Sequence, residues 1–286
     1  MTHRLSPTSA RSYWQGDSRP RIGAVQYLNT RPLVHGLASS GVTLSYDLPS
    51  RLADQLAAGR LDVALIPSIE LFRGDHYRVV SDACIGCRGP VMSVKLFFRT
   101  APERVQSLAV DEGSRTSATL ARILLAERFG ILPAVEMLPI GAGLTDTPAD
   151  AVLLIGDRAL AMPPGAASFQ LIWDLGDEWC RWTGLPFVFA VWAARKNLDA
   201  RSIEPLLARA RDAGRSNLAA IAAAEAAGHG LTVPQCLSYL RDNLHYELGP
   251  DEREALSLFY AKAAKLSLAP AGLDLTASLS SAPLAR

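Results

Sequence analysis

The chain has 286 residues, 49% of them hydrophobic, enough to bury a substantial core in one large domain or two small ones. Its 29 basic and 28 acidic residues leave a formal charge of +1, which excludes a strong field directed at nucleic acid or an anionic membrane surface. Four cysteines do not make a disulfide framework, the opening MTHRLSPTSARSYWQGDSRP has no apolar stretch of signal-peptide length, and no run reaches the roughly 18 to 20 apolar residues of a membrane helix, so the expectation is a cytoplasmic protein.

From Arg21 the pattern alternates β-rich runs with helical stretches. Residues 21–27 read as a strand, 32–39 as a helix, 42–48 as a strand, and 50–58 as a helix that Ser50 caps and Gly59 ends. LDVALI (61–66) is a continuous apolar run suited to a buried parallel sheet. Two extended runs follow, 78–85 and 92–99. A second α/β unit then opens with a strand at 107–110, a helix at 114–129 and a strand at 135–138, and continues through strands at 151–155, 169–173 and 186–194. Helices are expected over 201–227, 234–243 and 251–265, with disordered tails at 1–19 and 271–286. This order predicts an α/β protein with ligands at the carboxyl ends of its strands.

Several segments at those strand ends carry candidate chemistry. In Tyr27-Leu28-Asn29-Thr30-Arg31-Pro32-Leu33 the Asn29 amide either caps the next helix or faces a ligand. In Asp111-Glu112-Gly113-Ser114-Arg115-Thr116-Ser117 a glycine turn precedes hydroxyl residues at a helix N-terminus, which serves either as an ordinary cap or as a carboxylate or phosphate site; the Gly-Lys-Ser/Thr ending of a Walker loop is missing. Ser68 and Ser93 sit at a strand end and a strand start, outside any Gly-x-Ser-x-Gly elbow, and read as ligand donors or turn caps. Asp157, after Gly156, is either an acid or base or a turn former. Trp173, Trp179, Trp182 and Trp192 read as packing residues. Cys84 and Cys87 form a Cys-x-x-Cys without a second ligand pair for zinc and without the following helix of a redox motif, so they read as structural. The histidines show no metal spacing, and no metal or cofactor is expected.

Taken together, YLNTRPL (27–33), GRLDVALIPS (59–68), CIGCRGPVMSV (84–94), DEGSRTS (111–117), LLIGDRAL (153–160) and DLGDEWCRWTGLPFVFAVWA (174–193) resemble the chorismate dehydratase family of the futalosine route to menaquinone, over about residues 21–265. The related enzyme that makes dihydroxynaphthoate carries a Cys-Pro-Asn-Asp-type motif where this chain reads YLNTRPL. The resemblance implies a two-lobed type II periplasmic-binding-protein-like fold with a ligand cleft between the lobes. Residues 20–106 and 190–270 would form lobe 1, and 107–189 would form lobe 2. It implies a hydro-lyase that removes water from chorismate to give 3-[(1-carboxyvinyl)oxy]benzoate, with chorismate as its partner and neither nucleic acid nor membrane. Asn29 would be the most sensitive catalytic residue. Ser114, Thr116 and Ser117 would take one carboxylate, with Ser68 and Ser93 facing them. The proton acceptor would be Asp157 or the substrate's own enolpyruvyl carboxylate. The rivals are a non-catalytic binding protein for a small carboxylate, which would use the same cleft without chemistry, and a lyase for a related cyclic dicarboxylate.

Overall fold

The computed structural model describes residues 19–74 and 76–279. The strands are β1 (Arg21–Val25), β2 (Thr43–Asp47), β3 (Val63–Pro67), β4 (Tyr77–Cys87), β5 (Val94–Phe98), β6 (Ser107–Asp111), β7 (Ala134–Leu138), β8 (Ala151–Ile155), β9 (Leu171–Asp174), β10 (Phe187–Arg195) and β11 (His245–Glu247). They form two sheets, one in the order β11-β4-β10-β3-β1-β2 and the other β7-β6-β8-β5-β9. In the first, β1 runs parallel to β2 and β3, and β10 runs antiparallel to β3 and β4. In the second, β6 is parallel to β7 and β8, and β5 is antiparallel to β8 and β9. The chain crosses between the sheets twice, from β4 to β5 and back into β10, so β5 belongs to the second sheet although the partition drawn from the resemblance placed residues up to 106 with the first.

Central strands are apolar without interruption because both of their faces are covered. All five residues of β3 and of β8 are buried, as are the first eight of β10. At the edge of the second sheet the first four residues of β7 are exposed.

The helices are α1 (Pro49–Ala57), α2 (Thr116–Phe129), α3 (Asp157–Leu160), α4 (Leu175–Thr183), α5 (Glu204–Ser216), α6 (Leu218–Glu225), α7 (Val233–Ser238), α8 (Pro250–Lys265) and α9 (Thr276–Leu279). Trp179 on α4 is fully buried, 5.2 Å from Phe187 of β10 and 6.1 Å from Phe259 of α8 by ring centroids, and its indole N–H donates to Pro186 O at 2.9 Å. Removing so large a ring from such a packed site costs about 3–5 kcal/mol.

Four local expectations fail for identifiable reasons. The helix expected over 32–39 is a pair of 3-10 turns, Leu28–Val34 and Leu37–Ser39; Pro32 supplies no N–H, and Gly36 in the left-handed region breaks the run. Ser50 does not cap α1, which starts with Pro49 in its first turn. The helix expected over 201–227 breaks at Asn217 into α5 and α6. The C-terminal tail is ordered over its first part, where Leu275 and Leu279 are buried. The remainder of that tail, and the N-terminal one up to residue 18, lie outside the described residues. Helix α4 and strand β11 were not expected at all.

One close approach places the future site. A Cβ on Gly214 of α5 would fall 1.9 Å from the carbonyl oxygen of Pro32, so only glycine lets α5 lie directly against the turn that holds Asn29.

Candidate functional site

The carboxyl ends of β1 and β3, the Val91–Val94 approach to β5, and the turn from β6 into α2 meet at a solvent-open cleft of about 490 Å³, open solvent included. Asn29, Ser93, Ser114, Thr116 and Ser117 all line it. Ser68 does not; it is fully buried behind the cleft, donating to Val188 O at 2.7 Å with its hydroxyl 3.4 Å from that of Thr116. Asp157 is also outside the lining. Its carboxylate accepts from the Leu28 N–H at 3.0 Å and lies 3.3 Å from His229 Nδ1, so it grips the turn that carries Asn29 from the opposite sheet. Burial raises the pKa of Asp157, against the Leu28 N–H and the charges of His229 and Arg31.

The side of the cleft contributed by the second sheet is a helix start. Asp111 shapes it: one carboxylate oxygen accepts from the Gly113 N–H at 3.0 Å, the other pairs with Arg158 at 2.8 Å, and its carbonyl accepts from the Ser114 N–H. Burial raises the Asp111 pKa, and Arg158 opposes that rise. Helix α2 begins at Thr116 with no side-chain cap, later than the Ser114 start expected, so the first-turn N–H groups of Thr116 and Ser117 face the cleft end of the helix dipole. The Ser114 hydroxyl is buried and has no partner. Thr116 is already committed, since its hydroxyl accepts from the Ile69 N–H at 3.3 Å.

The other side is held by residues far apart in sequence. Gly156 has φ +63, and a Cβ there would sit 2.6 Å from the Tyr27 ring, so the end of β8 closes directly onto that ring. The Tyr27 hydroxyl is buried without a partner, and burial, followed by the charges of Asp111 and Asp157, pushes its pKa far up. Ser93 follows Met92, a non-glycine residue at φ +62. That conformation is held by Asp174, which accepts from the Val91 and Met92 N–H groups at 3.0 and 2.6 Å and also caps α4 through Gly176 and Asp177. Backbone strain of this kind persists only where neighbours enforce it.

Cationic charge is largely spent elsewhere. Arg115 lines the cleft, but its guanidinium pairs with Asp54 at 2.8 Å and Glu70 at 3.2 Å, linking α2 to the first sheet's side. Among the described lining residues the only titratable groups are therefore Tyr27, held neutral, and Arg115, already paired. No group of three or more His, Cys, Asp or Glu suited to a metal ion occurs among the described residues. Cys84 and Cys87 are both buried; burial raises the Cys84 pKa, whereas a hydrogen bond with Cys180, then burial, raises that of Cys87.

The sequence missed Asp174, Arg115's pairing and His229. The first was findable: an aspartate before an apolar-periodic run with Asp177 and Glu178 in the first turn is a helix start. The other two depend on contacts across the cleft and have no local signal.

A family profile described as menaquinone biosynthesis matches residues 20–265. The chain is 32% identical over 266 residues to the chorismate dehydratase of Thermus thermophilus, covering 87% of this chain and 96% of that protein. It is 30% identical over 164 residues to the chorismate dehydratase of Campylobacter jejuni, 57% of this chain and 58% of that one. Among solved structures, a protein of Archaeoglobus fulgidus aligns with a TM-score of 0.66 at 15% identity, over 87% of this chain and 98% of that one. The periplasmic aliphatic sulphonate-binding protein of Escherichia coli aligns with a TM-score of 0.60 at 16% identity, over 92% of each chain. At these identities the structural likeness carries the fold alone, which is periplasmic-binding-protein-like.

Proposed function

The chain belongs to the menaquinone-biosynthesis family, and from that premise we propose that its cleft binds chorismate and removes water from it, in the cytoplasm, as a step of the futalosine route. The product is 3-[(1-carboxyvinyl)oxy]benzoate. The C3 proton and the C4 hydroxide leave together as water, the ring becomes aromatic, and the enolpyruvyl ether stays on C3. Aromatisation supplies the driving force, so the protein's task is to choose the bond that breaks. Expelling the enolpyruvyl group instead would give 4-hydroxybenzoate.

The observation that carries this reading is a cleft whose described lining offers neutral donors and the already paired Arg115, and no carboxylate, histidine, lysine or cysteine. A dianion can be held there by Ser114, Ser117 and the α2 N-terminus, where the helix dipole adds about 0.3 to 1 kcal/mol and more if partly buried. From the opposite side Asn29 supplies an amide to the departing hydroxyl or to developing charge, and Ser93 lines the same cleft. Ser68 and Thr116 act at one remove, joining the two sides of the cleft through Ile69. With no side-chain base in the lining, the proton acceptor is the substrate's own enolpyruvyl carboxylate, brought over C3 by the fixed binding of the other carboxylate. Asp157 then has a mechanical part, holding the Leu28 N–H so that Asn29 keeps its place.

Incubating the purified protein with chorismate, without added metal or cofactor, and identifying the product by chromatography tests this directly. Formation of 3-[(1-carboxyvinyl)oxy]benzoate is expected. A 4-hydroxybenzoate product overturns the regiochemistry, and saturable chorismate binding without turnover would make the protein a carboxylate-binding module.

A further inference from the structure

Two buried hydroxyls at the cleft, those of Tyr27 and Ser114, have no hydrogen-bond partner among the described residues, and they come from opposite sheets. Tyr27 follows β1 of the first sheet, and Ser114 lies between β6 of the second sheet and α2. Both line the cleft, at 6% and 8% exposure. The Tyr27 ring crosses to the second sheet's wall. The end of β8 closes on it at Gly156, and its hydroxyl oxygen lies 3.1 Å from where a Cβ on Gly113 would sit. Gly113 immediately precedes Ser114 in the turn that leads to the first residue of α2, Thr116. The phenol and the serine are therefore presented at the same helix start.

A buried hydroxyl without a partner destabilises the empty protein, and a ligand that brings an acceptor recovers the loss. Asp111 does not fill that part, since one of its oxygens takes the Gly113 N–H and the other takes Arg158. Its charge is offset by the same Arg158, 2.8 Å away. Burial, followed by the charges of Asp111 and Asp157, keeps the phenol protonated, so it donates and carries no charge that repels an anion. The first turn of α2 adds free N–H groups and the positive end of the helix dipole. Two hydroxyl donors and a helix start make a site for an anionic oxygen pair.

We propose that Tyr27 is a further substrate-binding residue: its hydroxyl donates to the ring carboxylate that Ser114 and the start of α2 also receive, so that both sheets grip the same group. This rests on the dehydratase reading and adds to it a donor that reaches the binding wall from the first sheet. Phenylalanine keeps the ring that packs against Gly156, so Tyr27→Phe removes the donor and leaves the packing.

The test is steady-state kinetics on chorismate for wild type, Tyr27→Phe and Tyr246→Phe, with the melting temperature of each ligand-free protein. Tyr246 is also buried with an unpartnered hydroxyl but lies outside the cleft lining, so it controls for the loss of such an oxygen. Tyr27→Phe is expected to raise KM about tenfold, as for one lost hydrogen bond to a charged group, with kcat within about threefold of wild type. Its melting temperature should equal or exceed that of wild type, because the hydroxyl removed has no partner in the empty protein. A residue that merely packs loses stability and binding together. Tyr246→Phe should leave KM unchanged. A Tyr27→Phe KM within about threefold of wild type would overturn the proposal and leave the dehydratase reading in place. So would a larger fall in kcat, which moves the phenol to the chemical step. A raised KM with a lowered melting temperature, or an equal rise in Tyr246→Phe, marks a packing defect and also overturns it. A wild type that does not turn chorismate over sinks both readings, and the wild-type rate tells that outcome from the others.

Discussion

The two sides of the cleft are built in opposite ways. On the first sheet's side, Asn29 accepts from Thr30 and Ser93 donates to the Val91 carbonyl, on turns fixed by Gly214, Asp157 and Asp174. On the second sheet's side, the start of α2 offers donors that the protein itself leaves unused: the first-turn N–H groups and the Ser114 hydroxyl. Polar groups already paired hold a geometry, whereas unpaired ones invite a ligand. The contrast divides the labour, with chemistry on the first side and carboxylate recognition on the second, and substitutions should separate kcat effects from KM effects along the same line.

The largest effect is expected at Asn29. Asn29→Ala removes the donor aimed at the reacting bond and should lower kcat by about 10²- to 10³-fold, or about 2.7–4 kcal/mol, with the chain still folded by circular dichroism. A loss confined to KM would put Asn29 on the binding side and erase the contrast. Next comes Gly156→Ala, which forces a Cβ into the Tyr27 ring at a left-handed φ; a loss of stability on the order of 1–3 kcal/mol is expected in denaturant titration, with weaker chorismate binding. An unchanged midpoint would mean that Tyr27 does not close this part of the cleft.

Ser114→Ala should act on KM, raising it about fivefold for a net loss on the order of 1 kcal/mol, with kcat nearly constant. A selective fall in kcat would move the chemistry to the α2 side. Stability in acid probes the frame beneath the cleft. Burial alone would raise the pKa of Asp62, but the hydrogen bonds and charge of Arg21, paired at 2.7 Å, together hold it below the ordinary carboxylate value. A carboxylate depressed in the folded state contributes stability above its unfolded value of about 3.9 and loses it as pH falls through the folded value. Asp62→Asn should therefore be less stable than wild type at neutral pH, with a shallower fall in acid, and parallel curves would contradict the pairing. The smallest effect is expected for Asp157→Asn, which keeps an acceptor for the Leu28 N–H and should hold kcat within about threefold. A loss near that of Asn29→Ala would make the aspartate the proton acceptor after all.

Much of this architecture was legible in the sequence, because the buried strands are written as unbroken apolar runs such as Val63–Pro67 and Ala151–Ile155, and the cleft segments follow them directly. Asn29 after a strand, Ser93 at a strand start and Ser114, Thr116 and Ser117 at a helix N-terminus could be picked out, and the structure brings all five to one cavity. Ser68 and Asp157 also follow strands and yet lie outside its lining, spent on Val188 O and on the Leu28 N–H, since a strand-end position does not fix which partner a side chain takes. The α4 helix was missed because Trp179 and Trp182 read as packing residues, and the Asp174 cap before them was not weighed.

The most direct test of the central claim uses chorismate carrying heavy oxygen at C4. If the cleft removes the C4 hydroxyl while keeping the enolpyruvyl ether, all of the label appears in water and none in the 3-[(1-carboxyvinyl)oxy]benzoate formed. Label retained in an aromatic product, or released pyruvate, would show that the other bond breaks and would contradict the account.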